Sequence, residues 1–284
     1  MGKKKTSLVL EGGGMRGAYT AGALSWLLDE GIEFDNAYGI STGAVHLCSF
    51  LLKNQKYLHD LPIYYIVDKR VIGVIPFLRS GRIVDYFFLF REFLPNEIGF
   101  DISGLKDVKT EGKIGLYECE LGKTVYKSVQ EISMDELHAS TSLPLIGKLM
   151  EINKDRHIMD GGITEMIPIN EAIKDGCTKH LIITTKPASF VRKPAKKAVV
   201  DLMYLVYPKW RSIGDDYNVR HLNYNDQISK IKALEENNDA VYVYPSRETN
   251  VTRLGGKVED LEDLFELGRS DMEARRAQIL ALFK

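Results

Sequence analysis

Tyr38-Gly39-Ile40-Ser41-Thr42-Gly43-Ala44 is the stretch that decides how this 284-residue chain is read. Its centre fits G-x-S-x-G, the pattern of a nucleophile elbow, in which a serine occupies a sharp strand-to-helix turn and the flanking glycines omit Cβ atoms that would collide there. Ser41 is therefore the candidate nucleophile. Five such residues also arise by chance as an ordinary turn or helix cap, so the reading depends on whether the chain supplies an oxyanion hole, a base and an ester pocket.

Immediately upstream, the apolar run 7–10 reads as a buried strand stopped by Glu11-Gly12-Gly13-Gly14-Met15-Arg16-Gly17, and residues 18–30 carry Ala21, Leu24, Leu27 and Leu28 on one helical face. Residues 34–40 form a second strand that runs into Ser41, and 43–52 continue as an apolar helix. Two successive strand, glycine turn and helix units predict a parallel α/β sheet with both turns at carboxyl ends of strands, where sites form. Gly12, Gly14 and Gly17 also satisfy G-x-G-x-x-G, the dinucleotide fingerprint, with Asp35 near the distance of an acidic ribose ligand. A dinucleotide-binding strand would end on that acid, whereas this one passes it and delivers Ser41. Amide groups at a helix N-terminus equally suit a developing oxyanion, and that is the stronger reading.

Downstream, residues 54–95 are strongly aromatic and interleaved with Arg70, Arg79, Arg82 and Arg91. They read either as a cap or acyl-chain pocket at a lipid interface or as helices packed on the sheet with solvated arginines. Strands are expected at 114–117 and 124–129 as a hairpin, then a helix at 134–142, strands at 149–152 and 155–159, a helix from 168 and a strand at 180–185. Lys186, Arg192, Lys193, Lys196 and Lys197 gather around Pro187 and Pro194; the simple reading is a solvated connection, and the alternative is contact with anionic head groups. Helices at 198–207 and 217–236, a strand at 240–244 and one closing helix over 258–283 complete the expectation.

The totals suit one large domain or one domain with an appendage. A net charge of -1 gives no sign of nucleic acid as a bulk partner. Three widely spaced cysteines, Cys48, Cys119 and Cys177, fit a reducing compartment. No signal-peptide core, transmembrane run or metal-ligand spacing is visible. Met1-Gly2 through Thr6 fits an N-terminal acylation pattern, although a solvated tail is the simpler reading.

A serine hydroxyl needs a base. Of the six histidines, His180 and His221 follow Ser41 and Asp160 in the order of a Ser-Asp-His triad, so that arrangement stays formally open. His180 begins a buried strand, however, and His46 falls on a different helical face from the elbow; each histidine reads better as a packing or surface residue.

Gly12-Gly13-Gly14-Met15-Arg16-Gly17, Gly39-Ile40-Ser41-Thr42-Gly43 and Asp160-Gly161-Gly162 together resemble the three signature motifs of the patatin-like phospholipases. Ala139-Ser140-Thr141-Ser142 with Pro144 is similar to that family's segment upstream of its aspartate. The resemblance covers residues 5–187. The remainder is similar, less sharply, to an extension found in a bacterial cytoplasmic subgroup, through Arg211, Tyr217-Asn218 and the closing strand and helix. It implies an α/β chain with a three-layer α/β/α patatin-like fold, a mainly parallel central sheet and a smaller, mostly helical C-terminal extension. The catalytic domain would span 1–190, with 191–284 packed on it.

The resemblance further implies a Ser-Asp dyad without histidine: Ser41 attacks, Asp160 accepts and returns the proton, and an oxyanion hole forms at Gly13, Gly14 and Met15 with Arg16 at the family's basic position. Gly12, Gly17, Gly39, Gly43, Gly161 and Gly162 support the motifs. The implied activity is that of a serine lipid acyl hydrolase working through an acyl-serine, with no cofactor and no metal. A lipid ester is the expected partner, with transient membrane-surface contact and a cytoplasmic, peripheral location; the oligomeric state is not encoded in these motifs. Acyl transfer from the same acyl-serine, and a nucleotide-binding or regulatory module built on the glycine loop, are the competing readings.

Overall fold

The computed structural model describes residues 4–284, so the first three positions of the N-terminal acylation pattern lie outside the described residues. β1 (Thr6–Leu10) leads through the glycine loop into α1 (Gly17–Asp29), and β2 (Asn36–Ile40) leads through Ser41 into α2 (Thr42–Leu51). An insertion follows, with α3 (Gln55–Asp60), α4 (Val74–Ser80), the single turn α5 (Tyr86–Phe88) and π-helical stretches at Leu61–Tyr65 and Leu89–Ile98. Next come the hairpin β3 (Glu111–Glu118) and β4 (Lys123–Ser128), then α6 (Met134–Ser140), β5 (Met150–Ile152) and β6 (Arg156–Asp160). α7 (Ile169–Lys174), β7 (Lys179–Ile183), α8 (Lys197–Val206), α9 (Ser212–Glu236), β8 (Ala240–Val243), α10 (Val258–Ala274) and α11 (Arg276–Ala281) complete the chain.

One eight-stranded sheet runs β5-β6-β3-β2-β1-β7-β8, with β4 also paired to β3. The run β8-β7-β1-β2-β3 is parallel, whereas β4, β5 and β6 join through antiparallel pairs. Strand residues alternate between faces, as the pleat requires. Leu8, Leu10, Leu181, Ile183, Val241 and Val243 pack with α1, α2 and α10 on one side. Val9, Tyr38, Ile182 and Tyr242 pack with Ala172 of α7 and with Tyr224, Ile228 and Ile231 of α9 on the other. The result is three layers, α/β/α. The connection from β1 leads to β2 on one side and the connection from β7 leads to β8 on the other, so the glycine loop sits at the switch point where a crevice opens.

The closing helix differs from the sequence expectation. It breaks at Arg275 (φ -105°, ψ 10°), where the guanidinium is drawn 3.0 Å from Glu235 on α9. Among the described residues no helix is long and apolar enough to cross a membrane.

The C-terminal residues are integral to the sheet and its helical cover. β8 extends the parallel run, and α10 lies against α1 at van der Waals distance. A Cβ on Gly22 would sit 1.9 Å from the Phe265 carbonyl oxygen, and one on Gly268 would sit 2.2 Å from that of Tyr19. Around this bare crossing, Tyr19 donates to Asp271 at 2.9 Å, Trp26 to Glu273 at 2.8 Å and Arg269 to Asp29 at 2.8 Å. Gly22→Val or Gly268→Val must push the helices apart. Each should cost about 3 kcal/mol and lower Tm by about 6 °C or more in thermal melts.

Candidate active site

Ser41 holds the strained turn that its motif predicts. Its φ of 56° and ψ of -127° lie where few non-glycine residues go, at a cost of about 1–3 kcal/mol that the surrounding packing must hold. The turn closes because its neighbours lack side chains: a Cβ on Gly39 would lie 2.7 Å from Ala44 Cα, and one on Gly43 would lie 2.8 Å from the Glu11 carbonyl oxygen. Ser41 is 7% exposed, at the N-terminus of α2.

Asp160 reaches the same point from the opposite direction. β4 occupies one edge of β3; the other edge is shared, with β2 paired as far as Ile40 on Gly115 and β6 paired from Asp160 on Leu116. β2 runs parallel to β3 and β6 antiparallel, so their carboxyl ends meet head-on at adjacent β3 residues. The segment that resembles the family's upstream stretch contributes here too, since the Asp160 N–H donates to Ser142 O at 3.0 Å.

Asp160 is 1% exposed. Its Oδ1 accepts the Gly162 N–H at 2.7 Å, while Oδ2 is buried with no conventional hydrogen bond among the described residues. Burial raises its pKa; the Ser41 hydroxyl, the Gly162 N–H, Arg220 and Arg253 oppose the shift without cancelling it. Gly161 packs on the β3 backbone, where an added Cβ would meet Gly115 O at 2.6 Å.

The glycine loop lies beside this pair. Gly12 backs onto Ser41, and Gly14 to Arg16 form a single 3-10 turn before α1. The Gly13 N–H donates to Thr42 Oγ1 at 3.1 Å, and the Met15 N–H donates to the Arg253 carbonyl at 3.0 Å; neither bond uses the Gly14 N–H. Gly17 packs against Thr42 and His46. Asp35 is at the far, amino end of β2, where its carboxylate accepts from the Thr6 N–H and hydroxyl at 2.8 and 2.9 Å. That removes the ribose ligand a dinucleotide site would need.

No histidine hydrogen-bonds to Ser41 among the described residues. His180 contacts Ser7 Oγ at 2.7 Å, His138 stacks on Phe90, and His221 rests on the Asn218 carbonyl. Burial pushes His46, His138 and His180 down to about 4. No group of three or more His, Cys, Asp or Glu side chains among the described residues is placed to hold a metal ion.

Two cavities meet at Ser41. One is apolar, lined by Val45, Leu61, Ile66, Leu89, Phe90 and Leu143 among others, so the aromatic insertion forms its wall. The other is polar, and Ser41 and Asp160 line it together with Arg16, Lys186, Arg192, Arg220 and Arg253. The basic loop therefore divides. Lys186 and Arg192 turn inward, against the simple solvated reading, while Lys193, Lys196 and Lys197 stay exposed.

Lys186 pairs with Glu11, which is fully buried and accepts from the Thr185 N–H at 2.6 Å. Burial alone would raise the Glu11 pKa, but Lys186 and the Thr185 N–H more than reverse it. Arg220 donates through Nε to the Gly162 carbonyl.

Glu11, Arg220 and Arg253 were not singled out by sequence motifs. Arg220 left a signal, because it falls on the buried stripe of α9 with Ile213, Tyr224, Ile228 and Ile231, where a charge demands a reason. Arg253 left none, being a loop arginine brought in by the packing of α10.

The patatin-like phospholipase family model matches residues 8–173, and a domain of unknown function, DUF6363, matches residues 211–284. The chain is 24% identical over 284 residues to the uncharacterized protein YjjU of Escherichia coli (strain K12), covering 93% of this chain and 75% of that protein. It is similar in fold to VipD from Legionella pneumophila, with a TM-score of 0.55 at 12% identity over 97% of this chain and 67% of that one. With the glycine loop, the elbow and the Asp-Gly-Gly turn gathered at one crevice of a matching α/β/α sheet, this chain belongs to the patatin-like phospholipase family, whose general chemistry is lipid acyl hydrolysis.

Proposed function

We propose that this protein is a serine lipid acyl hydrolase in which Ser41 and Asp160 act as a dyad. The observation that carries the reading is the pairing of a serine on a positive-φ elbow with a buried carboxylate whose free oxygen has no conventional hydrogen-bond partner among the described residues. Ser41 Oγ attacks the ester carbonyl carbon as its proton passes to Asp160. The tetrahedral intermediate collapses to acyl-serine, and the leaving alkoxide takes that proton. Water then gives a proton to Asp160 as its oxygen bonds the acyl carbon, and the Ser41–acyl bond breaks to release the acid while the Ser41 oxygen takes that proton back from Asp160.

The oxyanion is received by the Gly13 and Gly14 N–H groups. The partner of Gly13 is a rotatable hydroxyl and can be exchanged, whereas the Met15 N–H is committed to a backbone carbonyl. The apolar cavity takes the acyl chain. Hydrolysis is favoured over the nucleotide-binding alternative because the acid that reading requires is spent on Thr6 at the far end of the sheet. Ser41→Ala and Asp160→Asn should each lower turnover of a p-nitrophenyl ester by about 1,000-fold or more while leaving Tm within a few degrees. Wild-type turnover surviving in Ser41→Ala would end the dyad reading.

The pH dependence carries its own signature. Asp160 must be ionised to act as a base, so kcat/KM should rise with pH through a midpoint above the ordinary aspartate range. Arg253 stabilises the ionised form, so Arg253→Gln should move that midpoint to higher pH. A pH-rate profile with the same neutral ester reads both.

Contact with a membrane surface belongs to the insertion. Val74, Ile75, Phe77, Leu78, Ile83 and Phe87 are exposed, Leu78 by 79%, on a stretch that neighbours the wall of the apolar cavity. Arg91 stacks over Phe87 at 5.1 Å within reach of phosphates. Leu78→Asp should reduce co-sedimentation with phospholipid vesicles several-fold and leave turnover of the water-soluble ester intact.

A further inference from the structure

We propose that the C-terminal region completes the active site with an anion subsite, formed by Arg220 and Arg253 with Arg16, Lys186 and Arg192, that selects acyl esters whose alcohol carries a phosphate monoester. The inference rests on the hydrolase reading of Ser41 and names the other half of its substrate.

The subsite is unusual in this chain for its charge. The whole sequence carries a net charge of -1, yet five cationic side chains line one small cleft in which Asp160 is the acid. Glu11 lies behind the cleft and is spent on Lys186. Most arginines elsewhere are paired, among them Arg70 with Asp68 and Glu97, Arg79 with Asp85 and Arg91 with Asp135, and of the unpaired ones outside the cleft Arg211 lies over the Tyr204 ring. Among the described residues Arg16, Arg192, Arg220 and Arg253 form no salt bridge, and the Nε of Arg192 is buried without any hydrogen-bond partner.

Burial and mutual repulsion together depress the pKa of Arg16, Arg192 and Arg220, the last to about 10, which leaves them charged at neutral pH. Such a set is costly to hold empty, because each guanidinium has lost water without gaining a carboxylate.

Lys186, Arg192 and Arg220 are held by the fold. Arg192 and Lys186 stack over Tyr224 at 4.5 and 5.1 Å, Arg192 is fixed through its N–H to Asn225 at 3.0 Å, and Arg220 lies over Tyr217 at 5.2 Å while bound to the Gly162 carbonyl. The charge of Arg253 also acts on Tyr217, and the Arg253 carbonyl holds Met15 of the glycine loop. Arg220, Tyr217 and Arg253 all lie within the 211–284 region that matches the domain of unknown function.

The geometry fixes where the charge must be on the substrate. Ser41 lies between the apolar cavity and the cationic cleft, so an ester with its carbonyl at Ser41 and its chain in the apolar cavity directs its alcohol into the arginines. A phosphate monoester brings about -1.5 to -2 charge at pH 7 and three oxygens suited to forked guanidinium donors. A zwitterionic diester would bring an ammonium group into a cationic cleft. A neutral glycerol would leave the arginines without a counter-charge. The cleft continues outward past Thr185, Arg192 and Thr252, which gives the released phosphorylated alcohol an exit.

The test compares kcat/KM for 1-oleoylglycerol 3-phosphate, 1-oleoylglycerophosphocholine and 1-oleoylglycerol in the same neutral detergent micelles. Wild-type protein should prefer the phosphate monoester by about ten-fold or more, the scale of one charge-assisted hydrogen bond. Arg192→Gln and Arg253→Gln, checked for folding by thermal melts, should each reduce that preference by a similar factor; if one fails to fold, the other decides. Equal kcat/KM for the three esters in wild type, or a preference unchanged in the folded variants, overturns the subsite.

If no ester is turned over at all, the hydrolase reading falls, and calorimetry on Ser41→Ala protein then judges the subsite. Tighter binding of the oleoylglycerol phosphate than of oleoylglycerol, lost on adding Arg253→Gln, supports it, and equal binding overturns it. Inorganic phosphate binding as tightly as the oleoylglycerol phosphate also overturns it, since the cleft would then be a site for the free anion.

Discussion

Everything at the crevice depends on one edge of β3 being shared by two strands. β2 pairs with it up to Gly115 and β6 pairs with it from Leu116, in opposite directions, so two carboxyl ends abut where an ordinary parallel sheet would have one. Ser41 and Asp160 sit at those ends on rigid strand termini, and their mutual placement is set by backbone pairing that neither side chain can relax. Gly161 lets the chain turn away tightly against β3, and Gly162 returns an N–H to the Asp160 carboxylate. A dyad needs this kind of support, because it has no third residue to orient its base.

The second constraint is electrostatic. Asp160 is buried, which raises its pKa and, in the proposed dyad, would strengthen it as a base at the risk of keeping it protonated. Arg220 and Arg253 moderate that shift from nearby without forming a salt bridge to it, so the carboxylate keeps an oxygen free. Glu11, at the end of β1, ties Thr185 and Lys186 at the end of β7 and supplies charge compensation where the sheet meets the cleft. The low dielectric of the crevice makes each of these interactions stronger than it would be in water.

The C-terminal region serves both constraints. α10 reaches α1 through the bare surfaces of Gly22 and Gly268, and the loop before it lays the Arg253 carbonyl on Met15 and the Arg253 side chain in the cleft. α9 brings Arg220 under the Asp-Gly-Gly turn. The residues that follow the motif-bearing part of the chain therefore shape the surroundings of Ser41 as directly as the motifs do.

The local geometry of the candidate site was legible in the sequence because it depends on short-range backbone demands. A strand that ends in Gly-x-Ser-x-Gly can do little else than turn sharply with the serine at the apex, and alternating apolar runs separated by glycine turns dictate a parallel α/β sheet. The strands and most helices emerged near their expected places for that reason, while the closing helix breaks at Arg275, whose contact with Glu235 on α9 joins distant segments and has no local signature.

What only the tertiary structure decided is which charges meet. Lys186 and Arg192 read as part of a solvated basic loop, and Arg253 carries no sequence signal, yet the packing of α9 and α10 brings all three inward beside Ser41. A helix face or a glycine loop is written in neighbouring residues, whereas an electrostatic pocket assembled from five separate segments is written only in how those segments pack.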